Sequence, residues 1–146
     1  MYSIGEVSEK FNLPQSTLRF YDKEGLLRNL KREGGVRKFD DAAMGTLFMI
    51  ECLKKAGMEI KDIKTFLDWV AEGDSTLEKR LEMFKEQKKK VEKEIEEQKK
   101  VLDLLKFKCW YYETAVKAGT DAVVKDLSPD DMPDDVRELY LSSHDM

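Results

Sequence analysis

LEKRLEMFKEQKKKVEKEIEEQKKVLDLLKFKCWYYETAV, residues 77–116, contains neither glycine nor proline, and its reading decides the fold. Leu77, Leu81, Phe84, Lys88, Val91, Ile95, Gln98, Leu102, Leu105, Cys109, Tyr112 and Val116 follow one another by steps of four and three, and ten of these twelve are apolar. That alternation is the seam of a coiled coil, roughly 60 Å long at about 1.5 Å per residue. A lone helix would leave such a seam in water, so the pattern demands a partner helix. The two polar members, Lys88 and Gln98, lie symmetrically about position 93. In a two-fold antiparallel pair centred there, Lys88 faces Gln98, Val91 faces Ile95, Phe84 faces Leu102 and Leu81 faces Leu105. Polar seam residues set register at some cost in stability, and this arrangement confines them to two layers. The expected dimer interface is Leu77, Leu81, Phe84, Val91, Ile95, Leu102 and Leu105.

Towards the N-terminus the periods shorten. Ile4, Val7, Phe11 and Leu13 mark one helical face, and Ser3 with Glu6 three residues later has capping-box spacing. Asn12-Leu13-Pro14 ends that helix. A second begins near Gln15, turns Leu18 and Tyr21 inward and stops at Gly25. Two short helices so closely joined are a helix-turn-helix signal. Between Leu26 and Phe39 the helical period is lost, and Gly34-Gly35 sits among Arg28, Lys31, Arg32, Arg37 and Lys38. This reads as a basic-tipped hairpin, a wing. Asp40-Asp41 can cap a third helix to Gly57 with Ala43, Leu47, Ile50 and Leu53 on one face; a fourth spans Met58 to Val70 and breaks at Ala71-Glu72-Gly73-Asp74. The expected fold is all-α with a small β wing: a winged helix-turn-helix head over 1–72, a long antiparallel coiled-coil helix over 75–118, and a short acidic tail over 119–146. The tail is expected to end in a short helix near Val136–Leu141, docked on the coil, with His144 in a frayed end.

The net charge is −4, unevenly spread. Residues 1–39 hold eight Lys/Arg against five Asp/Glu, whereas residues 119–146 hold two against eight. Counterion release depends on the local basic patch, so a basic head, doubled in a dimer, permits nucleic acid. Cys52 and Cys109 match no disulfide or metal spacing, no signal peptide opens the chain, and no apolar run reaches membrane length. The expectation is a cytoplasmic protein with reduced thiols, no cofactor, no bound metal and no membrane partner. With no nucleophile–base arrangement, phosphate loop or metal cluster, it is not expected to be an enzyme.

Three ordered motifs carry a family likeness. Tyr2-Ser3-Ile4-Gly5-Glu6-Val7, then Ser16-Thr17-Leu18-Arg19-Phe20-Tyr21-Asp22, then Gly25-Leu26-Leu27 resemble the head of the mercury-resistance-regulator (MerR) family. Gly35-Val36-Arg37-Lys38-Phe39-Asp40 and Ala56-Gly57-Met58 continue the likeness. Within the family, Ile50-Glu51-Cys52-Leu53 and Glu72-Gly73-Asp74-Ser75-Thr76 are similar to the thiol-based sensors of aldehyde and electrophile stress. The resemblance implies a homodimer on a palindromic promoter operator in double-stranded DNA, which it bends and untwists so that RNA polymerase can engage. Gln15, Ser16 and Thr17 would reach base edges or phosphates; Arg19 and Tyr21 would hold phosphate; Arg37, backed by Lys31 and Lys38, would contact DNA from the wing. The other reading of these charges is a solvated face. Phe20 and Phe39 are expected to pack. The family's wing commonly has tyrosines where this chain has Val36 and Phe39, so contacts through those hydroxyls are absent.

Metal sensing is disfavoured, because Cys109 alone cannot complete a thiolate site. Cys52 remains, with two readings. It is either a sensor thiol, its thiolate favoured by Lys54 and Lys55, or a core residue sharing a helix face with Phe48 and Ala56. Cys109 is expected to pack on the seam, and Trp110, Tyr111 and Tyr112 against the partner's head. Two alternatives stand beside this reading: a regulator with a small-ligand pocket near Trp110 and Tyr112 at the coil ends, and a coiled-coil interaction protein.

Overall fold

The head is assembled from local stop and start signals that the chain obeys closely. The computed structural model describes residues 1–144, and the last two residues of the tail expected over 119–146 lie outside the described residues. Strand β1 (Tyr2–Ser3) leads into helix α1 (Ile4–Phe11), which is capped by Ser3. The Ser3 hydroxyl accepts from the Glu6 N–H at 3.2 Å, and the Ser3 N–H donates to the Glu6 carboxylate at 3.1 Å. Asn12, in the left-handed conformation, closes α1, and Pro14 opens α2 (Gln15–Lys23). Strands β2 (Lys31–Glu33) and β3 (Val36–Phe39) form the wing hairpin. Its two-residue turn, Gly34-Gly35, has φ of 57° and 78°, which side chains other than glycine adopt at a cost.

The hairpin gains a third strand that sequence reading did not expect. β1 pairs antiparallel with β3, Tyr2 opposite Phe39 and Ser3 opposite Lys38, giving the order β1-β3-β2. A strand of two residues has no period to detect; its pairing sets Tyr2 opposite Phe39, which is fully buried.

Helix α3 (Asp41–Lys55) is capped by Asp40, whose carboxylate accepts from the Ala43 N–H at 2.9 Å. After Gly57 (φ 85°), α4 (Ile60–Glu72) returns to Gly73. A 3-10 turn (Asp74–Thr76) then starts α5, which runs from Leu77 to Ala118. The head core comprises Val7, Leu18, Tyr21, Leu26, Leu27, Phe39, Leu47, Ile50, Leu53, Met58, Ile63 and Phe66. The first turns of α5 belong to this unit, which extends to Gln87. Met83 packs on the core, Phe84 meets Phe66 edge-on at 5.2 Å, and the Gln87 amide donates to the Ala56 carbonyl at 2.8 Å.

The second unit begins at Lys88. There α5 is followed by a single turn, α6 (Ala122–Lys125), a 3-10 turn at Pro129–Asp131, and α7 (Asp134–His144). Met132 and Val136 close over Phe107, with Trp110, Tyr111, Leu127, Leu139 and Tyr140 around them. The docked terminal helix was expected, but it is longer than Val136–Leu141. His144 is not frayed: its ring stacks on Tyr140 at 4.1 Å and meets Phe107 edge-on at 5.6 Å. No helix among the described residues is long and apolar enough to cross a membrane.

Candidate nucleic-acid interface

Helix α2 buries Leu18 and Tyr21 and presents Gln15, Ser16, Arg19 and Phe20 to solvent, with Thr17 half-buried. Pro14 gives its first turn no side-chain cap, so the positive end of the helix dipole is open to an anion. Arg19 reaches back one turn and donates to the Gln15 amide oxygen at 3.1 Å. An arginine and an amide held side by side on a solvent-facing turn suit phosphate and base edge respectively.

The wing is tied to α2 by one carboxylate. Asp22 accepts from Arg37 Nε and from Arg32 Nη2, both at 2.8 Å. Neither bond was legible from sequence, since the partners lie ten and fifteen residues away. Arg37 thus has one edge of its guanidinium committed inward. Lys31 pairs with Asp40 at 3.3 Å, and Lys38 is half-buried on β3. Elsewhere in the head, Arg28 and Lys64 share Asp68, Lys64 at 3.2 Å.

Two expectations on α2 are corrected. Tyr21, expected to hold phosphate, is 1% exposed. Its hydroxyl donates to Glu51 at 2.9 Å and accepts from the Lys54 ammonium at 2.7 Å. Burial raises the Tyr21 phenol above its ordinary pKa, and the bond to Tyr21 raises the Lys54 ammonium. The reason is helical phase: Tyr21 lies one turn from Leu18 on the core side. Phe20, expected to pack, does so only in part: its ring lies 6.3 Å from that of Tyr21, and 44% of its surface is exposed.

A third correction concerns the core reading of Cys52. The thiol is exposed, on the outer face of α3 beside Phe48 (64% exposed) and Met49. Its chain neighbours Glu51 and Lys54 turn away to Tyr21. Helix α3 therefore carries the cysteine on one side and a hydrogen-bonded link to α2 on the other.

Along α5 the expected interface residues are open in the single chain. Leu77, Leu81, Ile95, Leu102 and Leu105 are each about half exposed, and Phe84 is partly covered by Phe66. Val91, Ile95, Gln98 and Leu102 line a shallow apolar groove, and Cys109, Tyr112 and Val116 line another. Trp110 and Tyr111 are turned off this seam and pack around Phe107 within their own chain.

Comparison with known proteins agrees with this geometry. Residues 2–69 match the model of the MerR helix-turn-helix family of regulatory proteins. An uncharacterized HTH-type transcriptional regulator of Haemophilus influenzae is 44% identical over 120 residues, 82% of this chain and 89% of its own. The HTH-type transcriptional regulator AdhR of Bacillus subtilis is 31% identical over 90 residues, 61% of this chain and 64% of its own. Among solved structures, HiNmlR, a MerR family regulator lacking the sensor domain and bound to promoter DNA, superposes with a TM-score of 0.68 at 43% identity, covering 84% of this chain and 98% of that one.

Proposed function

Because this chain belongs to the MerR family of helix-turn-helix regulatory proteins, we propose that it is a transcriptional regulator that binds promoter DNA as a homodimer, reading it with α2 and steadying itself with the wing. The observation that carries this is the exposed Gln15–Arg19 pair beside a basic hairpin that Asp22 holds against the same helix. Gln15, Ser16 and Thr17 meet base edges, Arg19 meets phosphate, and Arg37, Lys31 and Lys38 track the backbone from the wing. A gel shift with DNA upstream of the chain's own gene tests it. A sequence-specific band, weakening steeply with salt, is expected; salt-insensitive or absent binding would favour a coiled-coil interaction protein.

Two copies join through the seam of α5, antiparallel and centred near position 93. The dimer grips a palindrome in double-stranded DNA, in the cytoplasm, and distorts it so that RNA polymerase can engage both promoter elements. Such distortion costs on the order of 1–6 kcal/mol, a bias that one effector can supply.

That effector is an aldehyde or related electrophile, taken up at Cys52. The thiol adds to the carbonyl carbon, forming a C–S bond, and its proton passes to the carbonyl oxygen, so a hemithioacetal forms with no redox partner. The exposed position of Cys52 and the Glu51–Tyr21–Lys54 bonds that link α3 to the recognition helix support this reading. Cys52→Ser is expected to abolish aldehyde induction of a reporter while operator affinity stays unchanged; induction that survives the substitution would exclude the thiol. A small-ligand pocket at the coil end has less support, since Trp110 is already engaged by Phe107.

A further inference from the structure

Phe20 occupies the second turn of α2 on the side that faces away from the core, with 44% of its surface open. Ser16 lies one turn before it, and residues four apart share a strip of helix surface. The adjoining strip is Gln15 and Arg19, joined by their own hydrogen bond. The phenyl ring leans on the Tyr21 ring at 6.3 Å, which anchors one edge while the rest stays exposed. An apolar ring is thus built into an otherwise polar reading surface, held next to the residues placed best to meet DNA.

A phenyl ring can neither donate nor accept a hydrogen bond, so it ignores every base-edge group except one. Along the major groove the apolar group is the C5-methyl of thymine, which tells A·T from T·A and from both G·C orientations. We infer that Phe20 is a specificity-determining residue that reads a thymine methyl in each half of the operator, beside the base met by Ser16. The helical rise of one turn, about 5.4 Å, spans one to two steps of about 3.4 Å along a DNA strand. The thymine therefore lies within two base pairs of the Ser16 contact. This rests on the reading of α2 as the recognition helix.

The test uses the full chain and the duplex it selects from a random-sequence DNA pool. Each thymine of that duplex is replaced in turn by deoxyuridine, which keeps the pairing edge and removes only the methyl. With the unaltered protein, one replacement per half-site is expected to weaken binding roughly fourfold, the worth of one methyl-sized apolar contact. Phe20→Ala is expected to bind the unmodified duplex at least that much more weakly and to be indifferent to the same replacement. Phe20→Leu, which keeps an apolar side chain, is expected to retain part of the discrimination, and it serves as the probe should the alanine variant melt below the unaltered protein. Weaker binding by Phe20→Ala with the methyl effect intact would overturn the inference. So would uniform weakening with no methyl effect in either protein, because the ring would then rest on deoxyribose. Affinity unchanged by either substitution would overturn it as well. If the unaltered protein enriches no sequence at all, the regulator reading falls, and this inference with it.

Discussion

Tyr21 joins core packing and a partly buried polar contact in one side chain. Its ring fills the head core, and its hydroxyl, bonded to Glu51 and Lys54, is the polar contact between α2 and α3. Tyr21→Phe keeps the ring but strands two polar partners that are only partly exposed, and should destabilise the head by about 1–2 kcal/mol in urea denaturation. The pH dependence follows from the directions of the two shifts. Both groups hold their protons more tightly when folded. Their contribution is complete below the ordinary phenol and ammonium values near 10 and is lost as pH rises through the raised ones. The melting temperature is expected to hold from pH 7 to about 9.5 and then fall, less steeply in Tyr21→Phe. Arg19 gives the matching prediction for binding. On the proposed reading, in which Arg19 meets phosphate, Arg19→Ala should flatten the slope of log affinity against log salt by about 0.9, measured by anisotropy at several salt concentrations. Sequence placed Tyr21 on the inner face by period, yet also assigned it to phosphate. Only the packed structure shows that the hydroxyl has partners across 30 and 33 residues.

At the scale of elements, caps and turns were the most legible features. The Ser3–Glu6 box, the Asp40 cap and the Gly34-Gly35 turn each depend on residues within a few positions of one another. Backbone donors hold the Glu6 and Asp40 carboxyls below their ordinary pKa, and the Arg28 guanidinium does the same for Asp68. These carboxylates stabilise the fold fully above about pH 4 and lose that contribution as pH falls through the lowered values, so an acid melt of the head should steepen only below that point. The docked tail was less legible. Phe107 is off the heptad seam and only 5% exposed, covered by Met132, Val136 and Tyr140. An aromatic off the seam, three and four residues from Trp110 and Tyr111, was the available signal. Phe107→Ala should release α7 at a cost of about 3–5 kcal/mol. Amide exchange over 122–144 is expected to accelerate while exchange in the middle of α5 stays slow; unaltered exchange in the tail would count against the docking.

For the molecule as a whole, the decisive property is an apolar seam about half exposed in a single chain. The proposed homodimer would bury it, and an isolated helix of this polarity gains little from its own backbone. The antiparallel register proposed for that dimer makes a sharp prediction. In chains with both native cysteines replaced by serine, Leu81→Cys mixed with Leu105→Cys should cross-link across the pair. Either variant alone should not, since like positions would stand roughly 36 Å apart at about 1.5 Å per residue. Efficient self-linking of one variant would indicate parallel helices. Charge has the same division at this scale: basic residues gather in the head and acidic ones in the tail, so whole-chain charge conceals the surface offered to DNA.

By itself the sequence determined what depends on short-range spacing: helix ends, the wing turn, the unbroken long helix with its heptad spacing, and a family likeness made of ordered motifs. Those features hold because backbone geometry repeats every two or 3.6 residues and caps act within one turn. Tertiary structure alone decided which side chains remain available for work. It put Tyr21 inside and Phe20 outside, left Cys52 on the open face of α3, gave Asp22 two arginines to hold, and seated Phe107 beneath the tail. Each of these depends on partners brought together by packing across many residues, and no local period encodes such meetings.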